Sequence, residues 1–249
     1  MRIACRLILG TLFLISPGSI RAGDDAPSIV VTKDDHVFFL GGEIPPRGSA
    51  TQYHQLVAQA FENATRTQLR VRSFRASSNT LLLVKAGLDT TLQGKPTLVV
   101  LFTGTNDIRY DDKLRARAAV RNAAVNARPV QRLSPEHFTA TLGEIVDRCT
   151  QAEARILLCT AAVIGERYDG SNPLDSALDE YSELTRKFAA EHKIALCDLR
   201  KEFIQYEKAH NPDNNTSGIL TSDGTILNEA GHQFLAEALM MHLGIEPTK

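Results

Sequence analysis

The stretch TLVVLFTGTND, Thr97–Asp107, carries five consecutive apolar residues, Leu98 to Phe102, and then closes on Gly-Thr-Asn-Asp. A short, uninterrupted apolar run bounded by turn residues reads as a strand buried on both faces, the signature of a parallel sheet. In an open α/β sheet the residues just past such a strand lie on the rim where ligands bind. Working outward, HVFFLGG (36–42) is a second run of this type, with His36 ahead of the strand. ARILLCTAAVIG (154–165) and IALCDLR (194–200) are further runs, and QLRVRSFRA (68–76) alternates Leu69, Val71 and Phe74 with arginines.

Helical periodicity fills the intervals. Residues 49–63 place Tyr53, Leu56, Val57, Ala60 and Phe61 on one face. Ser134 precedes Pro135 and Glu136 as an N-cap, followed by a Phe138, Leu142, Ile145, Val146 stripe. A third stripe runs through Leu178, Tyr181, Leu184 and Phe188, and Asn228 caps a last helix carrying Phe234, Leu235, Ala238 and Leu239. Five strands alternating with helices define an α/β, doubly wound, five-stranded parallel sheet flanked by helices. The turns Gly42–Glu43, Ser77–Asn79 and Thr105–Asp107 then share one rim.

The 249 residues suit a single domain with a sizeable core. A formal net charge of −1 gives no global field for nucleic acid or anionic membranes. At the N-terminus, Arg2 and Arg6 precede the apolar run Leu7–Ile15; Pro17, Gly18 and Ser19 break it, and Ala22 supplies a small residue at a cut. This is the pattern of a signal peptide over 1–22, with one domain over 23–249 and a secreted or periplasmic mature chain that keeps no transmembrane segment. The mature chain would hold Cys149, Cys159 and Cys197, an odd number without a C-x-x-C pair, read as buried small hydrophobes.

Four segments, in order, resemble the SGNH (GDSL) hydrolase family across essentially the whole mature chain. They are Leu40-Gly41-Gly42-Glu43, Ala76-Ser77-Ser78-Asn79-Thr80, Gly104-Thr105-Asn106-Asp107 and Asp223-Gly224-Thr225-Ile226-Leu227-Asn228. The resemblance implies a sheet in flavodoxin-like order, ester hydrolysis of acyl or acetyl esters without a cofactor, and a small-molecule or carbohydrate ester as ligand. It also implies a serine after strand one, a histidine three residues beyond an aspartate, and an oxyanion hole built by backbone N–H groups and an asparagine amide.

Carried over position by position, the serine is Glu43, the histidine is Ile226, and the residue before the serine, usually aspartate, is Gly42. Ser78 replaces the second-block glycine but keeps a backbone N–H. Asp223 and Asn106 are retained. Glutamate cannot form an acyl-serine and isoleucine cannot accept a proton. In subtilisin, loss of the serine or the histidine alone lowers kcat by about 10⁶.

Three readings follow. In one, the chain is a degenerate hydrolase that binds a ligand through Gly42, Ser78 and Asn106. In another, Glu43 and Asp223 act as a carboxylate pair, or with a bound metal. In the third, the chain is an envelope interaction module whose basic segment 109–132, with seven basic and two acidic residues, forms a flap that attracts an anionic group. Among the histidines, His54 approaches the rim, His232 serves the last helix or the core, and His137, His192 and His210 are solvated.

Overall fold

The computed structural model describes residues 27–42, 52–73, 80–109 and 132–246. Within them five strands form one parallel sheet: β1 (His36–Leu40), β2 (Arg70–Ser73), β3 (Leu98–Phe102), β4 (Arg155–Cys159) and β5 (Ala195–Cys197). Their order is β2-β1-β3-β4-β5, the flavodoxin-like arrangement. His36 opens β1 instead of preceding it. Its N–H donates to Thr97 Oγ1 at 2.9 Å and its carbonyl accepts from Thr97 N, so the ladder toward β3 begins there.

Because side chains alternate along each strand, the sheet supplies two cores. Val37, Phe39, Leu98, Val100, Leu157 and Cys159 face one side. There they meet α1 (Tyr53–Thr65), α6 (Leu199–His210) and α7 (Glu229–His242). Phe38, Leu40, Val99, Leu101, Ile156 and Leu158 face the other. That side is covered by α2 (Leu81–Ala86), α3 (Leu88–Leu92), α4 (Pro135–Gln151) and α5 (Asp175–His192). The central strands are buried on both faces, which is why their sequences are continuous apolar runs rather than alternating ones.

The helices start where local chemistry supplies a cap. Ser134 accepts from the His137 N–H, with Pro135 in the first turn of α4. Asn228 Oδ1 accepts from Gly231 N at 2.9 Å at the start of α7. In α1, Tyr53, Val57 and Phe61 are buried with His54, while Leu56 and Ala60 are half-buried. The stretch between β5 and the last block contains α6. Asp198 caps it through Lys201 N, and Leu199, Phe203 and Glu207 are buried at spacings of four.

At the amino end of the sheet, opposite the rim, Asp35 ties three segments together. Its carboxylate accepts from Thr32 N (2.7 Å), Thr32 Oγ1 (3.0 Å), Thr97 Oγ1 (2.5 Å) and Arg155 Nη2 (2.7 Å). Burial alone would raise its pKa, but the bonds from Thr97, Arg155 and Thr32 outweigh burial and hold it below the ordinary carboxylate value. Its contribution to stability is therefore present at neutral pH and is lost as pH falls through that depressed value. Among the described residues, no helix is long and apolar enough to cross a membrane.

Candidate active site

The rim at the carboxyl ends of the strands is assembled from three turns. After β1 the chain enters Gly41 with φ of 77°, a conformation that favours glycine, and a Cβ there would overlap the carbonyl of Phe102. Gly42 is needed for a different reason: a Cβ on it would overlap the Tyr53 hydroxyl and lie 3.0 Å from Phe102 Cδ2. The fully buried Tyr53 ring thus takes up the space that an aspartate at position 42 would need.

After β3, a helical turn over 105–109 carries Asn106, Asp107 and Arg109. Asn106 Nδ2 donates to Gly41 O at 3.0 Å, which binds the third block to the first and commits one of the two amide hydrogens. Thr105 Oγ1 accepts from Ala162 N at 2.8 Å, fixing the same turn to the segment after β4. Asp107 points inward and accepts from Leu81 N at 3.0 Å. Burial pushes its pKa up to about 6, against backbone hydrogen bonds from Leu81, Asp107 and Gly104. It joins β3 to the start of α2 and belongs to the framework of the rim.

The third turn carries Asp223. Oδ1 of this residue accepts from Ile226 N (2.7 Å), Thr225 Oγ1 (2.8 Å) and Thr225 N (2.9 Å). Ser222 N donates to Ile226 O at 2.8 Å, and Thr221 and Leu227 form an antiparallel bridge, so the turn closes on itself. Burial acts to raise the Asp223 pKa, but the bonds from Ile226 and Thr225 and the charge of Arg109 lower it below the ordinary value. Where the family resemblance expects an imidazole, Ile226 therefore offers its backbone N–H to the aspartate and a half-buried aliphatic chain to the rim.

A group that the sequence reading did not single out positions this turn. Glu166, fully buried, accepts from Ile219 N (2.8 Å), Leu220 N (2.6 Å), Thr221 N (2.5 Å) and Thr221 Oγ1 (2.8 Å). Gly165 N also donates to Gly224 O at 2.6 Å. Asn228 contributes twice: besides capping α7, its Nδ2 reaches Ile219 O at 3.2 Å and Thr221 O at 3.3 Å. The only sequence signal for Glu166 is its place immediately after the apolar run that ends at Gly165.

Asn106 is thus tied to the Gly41–Gly42 turn through the Gly41 carbonyl, and the charge of Arg109, from the same turn as Asn106, acts to lower the Asp223 pKa. Glu43, Ser77 and Ser78 lie outside the described residues, as do the signal segment 1–22 and residues 110–131 of the basic segment. The two described ends of the latter meet the rim: Arg109 acts on Asp223, and Arg132 lies 5.8 Å over the ring of Tyr181, which packs beneath Gly104.

The histidines separate clearly. His137, His192 and His210 are exposed. His232 is buried in the core with neither ring nitrogen hydrogen-bonded, stacked on Tyr53 with ring centroids 6.1 Å apart, and burial lowers its pKa. His54 packs edge-on to the same tyrosine and is also buried. A hydroxyl–imidazole hydrogen bond does occur between Ser134 Oγ and His137 Nδ1 at 2.9 Å. The same hydroxyl accepts from His137 N, which makes the pair the N-cap of α4.

Comparison with known proteins agrees with this architecture. No curated protein matches the chain. Among solved structures it resembles the acetyl xylan esterase AlAXEase at 26% identity and a TM-score of 0.68, over 83% of this chain and 98% of that one. A catalytic mutant of an acetylxylan esterase from Geobacillus stearothermophilus aligns at 21% identity and a TM-score of 0.70, over 88% and 98% of the two chains. An α/β hydrolase from the metagenome of Lake Arreo, Spain, aligns at 21% and 0.66, over 86% and 97%. With residues 34–234 matching the GDSL-like lipase/acylhydrolase family, and the sheet order and rim turns described above, the chain belongs to that family.

Proposed function

We propose that this protein, after export and removal of residues 1–22, binds an acylated carbohydrate-type ester on the rim but does not hydrolyse it by a serine–histidine route. The observation that carries this reading is the Asp223 turn. The aspartate that would orient a catalytic imidazole instead accepts three bonds from Thr225 and Ile226, and position 226 has no ring nitrogen. The likeness to acetyl xylan esterases supports an acetylated sugar as the ligand class. Glu43 in the nucleophile position would place a carboxylate where negative charge has to develop, which opposes turnover.

The depressed pKa of Asp223 disfavours it as the acid of a carboxylate pair, because it holds no proton to donate at neutral pH.

The test compares the mature protein with Glu43→Ala, Ser134→Ala and a Glu43→Ser/Ile226→His double variant on 4-nitrophenyl acetate and acetylated xylooligosaccharides. The expected results are no turnover above buffer by the parent, a rise in its melting temperature with the oligosaccharide, and measurable hydrolysis by the double variant. Parent hydrolysis that survives Glu43→Ala would overturn the reading, and its loss in Ser134→Ala would move the chemistry to the α4 cap. Mass spectrometry of exported protein tests the cut after Ala22.

A further inference from the structure

A second group of chemically competent side chains lies outside the rim turns. Cys197 ends β5, Glu202 lies in the first turns of α6, and His242 ends α7. Their ligating atoms, one each from the thiol, the carboxylate and the imidazole, all lie within 4.8 Å of one another. His242 Nε2 is 3.0 Å from Glu202 Oε1. Cys159 pairs in register with Cys197 across β4 and β5 and is fully buried on the same face, but it stands outside that 4.8 Å set.

Reading Cys159 and Cys197 as small core hydrophobes accounts for their burial. It does not account for an imidazole and a carboxylate, from two separate helices, converging on the same sulfur. A surface ion pair would account for Glu202 and His242 but gains little from a buried thiol beside it.

We propose that Cys197, Glu202 and His242 form a binding site for a divalent metal ion of the zinc class, which clamps β5 to α6 and α7. The donor set selects the metal. One sulfur, one imidazole nitrogen and one carboxylate oxygen suit zinc, whereas calcium and magnesium take oxygen ligands. Tetrahedral bonds of about 2.0–2.3 Å set ligand atoms roughly 3.3–3.8 Å apart. The spread in this cluster therefore closes with a contraction of about 1 Å, within the reach of side-chain torsions.

The side chains of His242 and Glu202 are 26% and 18% exposed, which leaves an entry path from solvent to the buried sulfur. With three protein ligands the fourth tetrahedral position falls to water, and the ion's role is to tie β5 to the two helices. On binding, the protons held on the Cys197 thiol and the His242 imidazole pass to solvent and three protein–metal bonds replace bonds from the ion to water; no electron is transferred.

The proposal is tested on the reduced, chelator-treated protein, titrated with Zn²⁺ against a chromophoric competitor and separately with Co²⁺. The expected outcome is one ion per chain, a higher melting temperature with Zn²⁺, and an intense thiolate-to-cobalt charge-transfer band in the near ultraviolet. Cys197→Ala and His242→Gln should each weaken binding by about 100-fold or more, beyond the 10–100-fold typical of outer-shell changes. His242→Gln alters a partly exposed position and remains informative where the cysteine variant does not fold. Lack of stoichiometric uptake, a cobalt spectrum without the thiolate band, or unchanged affinity in His242→Gln would each overturn it. All of these readouts are independent of any ester chemistry at the rim.

Discussion

Tyr53 and Gly42 occupy one space between them. The phenol lies where a side chain at position 42 would project, so the aspartate that the family usually carries there is incompatible with this tyrosine in its present rotamer. Gly42→Asp is expected to destabilise the fold by about 1–3 kcal/mol through overpacking. The closest overlap is with the hydroxyl, so Tyr53→Phe in the same chain should recover part of that loss. Denaturant unfolding of the two single variants and the double variant measures the coupling, and strict additivity would show that the two side chains do not compete. At this scale the sequence carried the departures themselves, Gly42 for aspartate and Ile226 for histidine. It did not carry their local compensation, because Tyr53 and the second contact of Gly42, Phe102, come from other elements.

At the level of elements, the turn bearing Asp223 is shaped from outside itself. Glu166 gathers three backbone N–H groups and one hydroxyl from residues 53 to 55 positions later in the chain. Glu166→Gln puts an amide N–H₂ where an acceptor is needed and leaves at least one buried donor unsatisfied. Hydrogen bonds to charged groups are worth about 1.5–3 kcal/mol each, so a loss of roughly 2–4 kcal/mol is expected, with faster amide exchange at Ile219, Leu220 and Thr221 ahead of the rest of the molecule. Exchange that speeds up uniformly would mean that the carboxylate supports the whole fold and not this turn. The element boundaries were largely legible: the Ser134 and Asn228 caps start α4 and α7 where the sequence put them. α6 was harder to read, because its buried face includes Glu207, a residue that breaks the apolar stripe.

For the molecule as a whole, Glu207 sets a pH dependence. It is fully buried, neither carboxylate oxygen is hydrogen-bonded, and burial together with the charges of Glu166 and Asp175 pushes its pKa up to about 8, against the pull of Arg200. The folded state binds this proton more tightly than the unfolded chain, whose value is near 4.5. The contribution of Glu207 to stability is therefore greatest below about pH 4.5, and it declines as pH rises toward about 8. Glu207→Gln should remove that decline. Its unfolding free energy, from denaturant titrations, is expected to exceed that of the parent above pH 8 by on the order of a few kcal/mol and to converge with it near pH 5. A parent and variant that stay parallel across this range would show that Glu207 is ionised in the folded protein.

The sequence by itself determined the class of sheet, the faces of α1, α4, α5 and α7, and the order of the four family segments. These follow from apolar periodicity and capping chemistry, which act over a few residues and are written along the chain. Tertiary structure alone decided that the charge of Arg109 acts on the Asp223 turn, that Glu166 supports that turn, and that Cys197, Glu202 and His242 meet. Each of these depends on long-range packing of the sheet and helices into one core, and a contact between distant positions leaves no periodicity in a single sequence.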